Sequence, residues 1–106
     1  MGKMQRTKGK RGELEVAKLL RDYGFEGRRT AQYAGNTGEA ADVIGIPGIH
    51  IEVKRQETIR IHDWMKQAER DCHGKIPCVF HRVSREPWYC TLPLEDFLRI
   101  LRNDRS

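Results

Sequence analysis

No stretch of the chain is both apolar and long enough to cross a membrane, and no apolar segment of the secretory-signal kind follows its basic N-terminus. A soluble, cytoplasmic protein is expected. Cysteine is scarce: Cys72, Cys78 and Cys90 are an odd set, which excludes a fully paired disulfide framework and suits a reducing compartment. The run "CHGKIPCVFH" matches no common zinc spacing, so these thiols are expected to be free and buried or half-buried. Internal repeats are absent, and so is low complexity beyond one short basic run. Acids are missing from the first twelve residues, "MGKMQRTKGKRG", where Lys3, Arg6, Lys8, Lys10 and Arg11 crowd together.

What is present bounds the rest. A chain of 106 residues suits one domain with a modest core. Residues 1–11 read as a flexible basic arm and residues 12–106 as a single domain. Lys and Arg number 20 against 15 Asp and Glu, a formal charge of +5. That excess points to a polyanionic partner, nucleic acid first, and arms of this kind often touch phosphates.

Periodicity divides the domain. From Gly12 to Asp22, Val16, Ala17, Leu20 and Tyr23 form one apolar helical stripe, and Gly24 is placed to cap the helix. "EGRRTAQ" is a short strand, "YAGNTGEAA" a loop, and "DVIGI" and "GIHIEVKRQ" two strands turned by Pro47 and Gly48. A second helix over 60–72 presents Ile61, Trp64, Met65 and Ala68 on one side. "IPCVFHRV" and "WYCTL" are two more strands. "LEDFLRILRN" closes the chain as a helix whose inner face is read as Leu94, Phe97, Leu98 and Leu101. The order αβββαββ followed by a C-terminal helix is a mixed α/β fold: a central sheet flanked by helices.

Three acids and a lysine carry the chemistry. Glu13 is spaced onto the apolar stripe of the first helix, where an unpaired carboxylate would be costly, whereas Glu15 falls with Arg11, Lys18 and Asp22 on the charged side. Asp42 begins one strand and Glu52 lies in the next, so an antiparallel pair brings the two carboxylates near each other. Lys54, two residues on from Glu52, leaves the same face. Carboxylates converging there call for a divalent cation. Oxygen-only ligands suit Mg²⁺, with Mn²⁺ able to substitute, and the matching chemistry is phosphodiester hydrolysis by an activated water. His50 shares the polar face, as a surface histidine in the plainer reading and a partner of the acids in the other.

The chain resembles the PD-(D/E)xK nuclease superfamily, and more narrowly the archaeal-type Holliday junction resolvases and small resolvase-like phage endonucleases. The resemblance rests on Lys8-Gly9, Glu13, "AKLL" and "YGF", then "AADVIGI" with Ala41 where the family has proline, then Glu52-Val53-Lys54. It implies a restriction-endonuclease-like core. It further implies that Glu13, Asp42, Glu52 and the Val53 carbonyl bind metal, that Lys54 assists the attacking water, and that Gln67 on the following helix approaches the site. The implied activity is metal-dependent endonucleolytic cleavage of branched DNA by a homodimer, in the cytoplasm of a prokaryote or a phage-infected host. The Ser-containing loop common before the aspartate in resolvases is replaced by "QYAGNTGEAA", with Thr37 and Tyr33 its hydroxyls. A nuclease of other substrate choice (nicking, repair or restriction-like) and a non-catalytic nucleic-acid-binding protein are the alternatives.

Overall fold

A computed structural model describes residues 2–30 and 41–103, with side chains from residue 9 onward. The elements run α1 (Gly2–Asp22), β1 (Arg28–Arg29), β2 (Val43–Ile44), β3 (Ile49–Arg55), α2 (Ile61–Asp71), β4 (Ile76–Arg82), β5 (Tyr89–Thr91) and α3 (Leu94–Asn103). The sheet order follows the chain, β1-β2-β3-β4-β5. Three of its pairings are antiparallel, and β3 and β4 run parallel because α2 crosses between them. This is the expected αβββαββ order with a closing helix.

The first helix differs from expectation at its start. Its backbone is helical from Gly2 rather than Gly12, through the segment read as an arm. Once a helix is nucleated, extension costs little, and Met, Gln, Lys and Arg are good helix formers. At the other end Gly24 adopts φ 92°. Its N–H donates to the Arg21 carbonyl, and the Phe25 N–H reaches back to that of Leu20, the paired bonds of a Schellman cap. A Cβ at Gly24 would meet nothing within 4 Å. Gly24→Ala is therefore expected to cost only the left-handed backbone penalty, about 1 kcal/mol, measurable as a lower urea midpoint. An unchanged midpoint would show the cap to be dispensable.

Helices cover both faces of the sheet. Val16, Ala17 and Leu20 of α1 pack with Val43, Ile51 and Val53 on one face. On the other, Trp64 and Ala68 of α2 pack with Val79. Fully burying a side chain such as Ile51 or Val79 contributes about 1.5–3 kcal/mol. The strand at the centre, β3, is consequently buried on both sides, and its polar face is not a solvent face. The turn before it forms as expected: Ile49 N–H donates to the Ile46 carbonyl, and Gly48 takes φ 80°.

The closing helix reverses its expected orientation. Leu94, Phe97, Leu98 and Leu101 are exposed by 68, 44, 51 and 43%, and α3 has no buried residue. Its half-buried positions are Asp96 and Ile100. The helix therefore meets the body along the shoulder of its apolar arc, because the covered sheet faces are already filled by α1 and α2.

Candidate active site

The centre of the site is the join of β2 and β3. Val43 pairs with Ile51 across the two antiparallel strands, and the Glu52 carboxylate lies close enough to Asp42 to act on its charge. The Asp42 N–H donates to the Ile51 carbonyl at 3.0 Å. The Asp42 carboxylate also reaches β3: its Oδ2 accepts the Val53 N–H at 2.8 Å. In a strand a residue's N–H and C=O leave on the same edge, so the Val53 carbonyl is presented toward the Asp42 side. Thr30, just after β1, anchors this corner. Its hydroxyl donates to the carbonyls of Ala41 and Asp42 at 2.8 and 3.2 Å.

Glu52 and His50 form a buried pair. Both are 2% exposed, and His50 Nε2 lies 2.8 Å from Glu52 Oε1. This corrects the reading of His50 as a surface histidine: α2 closes the face that alternation alone left open. On the same face Lys54 Nζ donates to Gln67 Oε1 of α2 at 2.9 Å. Glu13 is buried on α1, as its place on the apolar stripe required, and Arg29 Nε of β1 donates to its Oε1 at 2.6 Å.

Electrostatics tie these groups together. The Asp42 carboxyl is pushed up to about 7, first by burial, then by the negative charge of Glu52 and more weakly of Glu13; the Val53 N–H and Lys54 pull the other way. Among the described residues, no three His, Cys, Asp or Glu side chains close into a ready-made metal cage. Mg²⁺ does not require one, since it uses one or two carboxylates and fills its remaining positions with water, carbonyl or phosphate oxygens. Asp42 and Glu52, with the Val53 carbonyl on the same edge, fit that donor set. The carboxylate repulsion felt at Asp42 is what a cation would relieve.

A pH dependence follows. An acid whose folded pKa is raised takes up a proton on folding between about pH 4 and 7, so its contribution to stability is lost as pH rises through about 7. Stability should therefore fall across that window, and Asp42→Asn should flatten the fall. Mg²⁺ should raise the melting temperature more at pH 8 than at pH 6, because binding requires the ionised carboxylate. Equal Mg²⁺ shifts at the two pH values would separate Asp42 from any cation site.

Sequence reasoning missed two participants. In the sequence Arg29 reads only as part of a short strand, and the double arginine in "EGRRT" is its one available signal. Glu15 was placed on the charged side of α1. Instead it accepts from Arg82 Nη1 at 2.6 Å and Trp88 Nε1 at 3.3 Å, with Arg55 Nε at 3.5 Å. It fastens α1 to β3, β4 and the approach to β5. Glu15→Ala is expected to cost about 1–2 kcal/mol in stability, a charged-bond value reduced for its partial exposure, with catalytic geometry retained. A denaturation midpoint equal to wild type would rule out that fastening role.

Other expectations fall differently. Lys10 and Arg11 are exposed, whereas the side chains of Lys3, Arg6 and Lys8, and all of Tyr33 and Thr37, lie outside the described residues. Cys78 is buried and Cys72 half-buried, as expected, but Cys90 is exposed, because β5 is an edge strand.

A family model described as "Phage putative PDDEXK endonuclease" matches residues 4–106. The fold is similar to that of Hjc, a Holliday junction resolvase from the archaeal hyperthermophile Archaeoglobus fulgidus, with a TM-score of 0.61 and 22% identity over 80% of this chain and 72% of that one. No curated protein matches the chain.

Proposed function

The chain belongs to the phage PDDEXK endonuclease family, and from that premise we propose that it is a metal-dependent endodeoxyribonuclease acting on branched DNA as a homodimer. The observation that carries the reading is the electrostatically linked pair Asp42 and Glu52, with the Asp42 carboxyl raised to about 7 and Lys54 on the same face as Glu52. Asp42, Glu52 and the Val53 carbonyl would hold a divalent cation, Mg²⁺ by its preference for oxygen ligands, with Mn²⁺ able to substitute. Such a cation, when bound, activates a water at neutral pH and offsets the charge of the phosphate.

The chain's own residues do the rest. His50 fixes the rotamer of Glu52 from a fully buried position. Gln67 aims the Lys54 ammonium, which in this reading orients the attacking water and stabilises charge developing on phosphorus. Arg29 offsets the charge of Glu13, which in this reading adds its carboxylate to the cation's ligands beside Asp42. Lys3, Arg6, Lys8, Lys10 and Arg11 supply phosphate contacts along the duplex arms. Branched DNA is favoured by the likeness to a Holliday junction resolvase fold. A dimer is favoured because paired cuts across a junction need two sites related by a two-fold axis. Among the described residues no helix is long and apolar enough to cross a membrane, and this reading places the work in the cytoplasm of a prokaryote or an infected host.

The deciding experiment presents a synthetic four-way junction and a matching linear duplex, each with Mg²⁺ or with EDTA. Cleavage of the junction alone, abolished by EDTA, is the expected result. Cutting of both substrates would overturn the junction preference and leave a nuclease of other substrate choice. Binding without cutting would overturn the catalytic reading.

A further inference from the structure

Among the described residues nothing buries the apolar stripe of α3, and its layout describes the partner it fits. Leu94, Phe97, Leu98 and Leu101 recur at i, i+3, i+4 and i+7, one face of a helix. All four are substantially exposed, while Asp96 and Ile100 turn toward the body. Four large apolar residues gathered on one exposed helix face mark an association surface rather than ordinary surface scatter.

We propose that this stripe is a self-association surface on which two copies of the chain pair their α3 helices antiparallel about a two-fold axis. The spacing is self-complementary in that arrangement. An axis midway between Phe97 and Leu98 sets Leu94 of one copy against Leu101 of the other, and Phe97 against Leu98, so each stripe fills the other. Charge selects the same arrangement. The first turn of α3 carries Glu95 and Asp96, and the last turn carries Arg102 with Arg99 before it. Antiparallel pairing lays the acidic end of each helix beside the basic end of its partner and opposes the two helix dipoles, whereas parallel pairing stacks like on like. A partner of different sequence would have to reproduce both the leucine spacing and the charge gradient; a second copy has both by construction. A ten-residue helix is about 15 Å long, so the footprint is at the small end of specific interfaces and the dimer should be weak, with a dissociation constant in the micromolar range. None of this depends on the chain being a nuclease.

Sedimentation equilibrium of the full chain over a concentration series tests it. The expected result is a shift from one-chain to two-chain mass as concentration passes through the micromolar range, and at least a tenfold weaker association for Leu98→Glu and for Phe97→Glu. Both residues are already exposed, so the variants should keep the wild-type melting temperature. The arrangement is read separately, with Leu94→Cys and Leu101→Cys chains under mild oxidation against a wild-type background. A mixture of the two should cross-link well above either alone. Self-cross-linking of each variant by itself would overturn the antiparallel geometry. A wild-type chain that stays monomeric throughout, or a dimer indifferent to both glutamate substitutions, would overturn the proposal; the first would leave the stripe to another partner, the second would place the interface elsewhere.

Discussion

In a single-turnover assay with Mg²⁺, Glu52→Gln is expected to lose on the order of 10³-fold or more in cleavage rate while DNA affinity holds or rises. The substitution keeps volume and leaves an amide that can donate to or accept from His50 Nε2, so the buried pair stays filled and the fold survives. What disappears is a negative charge, which in the proposed site both holds the cation and repels the phosphate backbone. Asp42→Asn should behave alike, because an amide oxygen can still take the Val53 N–H. Rate and affinity must be measured on one preparation: near wild-type turnover would remove that residue from the site, and a parallel loss of DNA binding would point to misfolding.

For Lys54→Ala the expected loss is on the order of 10²-fold or more in single-turnover rate, the cost typical of removing a donor aimed at developing charge. The competing idea is that Lys54 merely pairs with Glu52 or Glu57. Its hydrogen bond instead goes to the neutral Gln67, while Glu57 accepts from the N–H and hydroxyl of Ser84. A bond to a neutral amide leaves the ammonium's charge available to a phosphate and sets its direction. Melting temperature and Mg²⁺ affinity should therefore change little. A destabilised variant that cleaves at the full rate would reduce Lys54 to a structural tie between β3 and α2.

Much of this site is legible in the sequence, and the reason is local geometry. A period of two along "IHIEVKRQ" puts Glu52 and Lys54 on one face whatever surrounds the strand. A period of 3.6 puts Glu13 in line with Val16, Ala17 and Leu20. Pro47-Gly48 can hardly avoid a turn, and a short turn between two strands brings Asp42 back beside Glu52. These relations span few residues, so the chain's own stereochemistry determines them.

Tertiary packing decided what local periodicity leaves open, namely which faces meet water. The polar side of β3 looks solvated in the sequence, yet α2 covers it, and that cover is what buries His50 against Glu52. The stripe of α3 looks like a core face, yet its four large apolar residues are exposed. Glu15 meets Arg82 and Trp88 across 67 and 73 residues, and no period in the sequence encodes a contact at that separation. Periodicity assigns a side chain to a face; only the assembled elements determine whether that face is closed by a helix, left to solvent, or left for a second molecule.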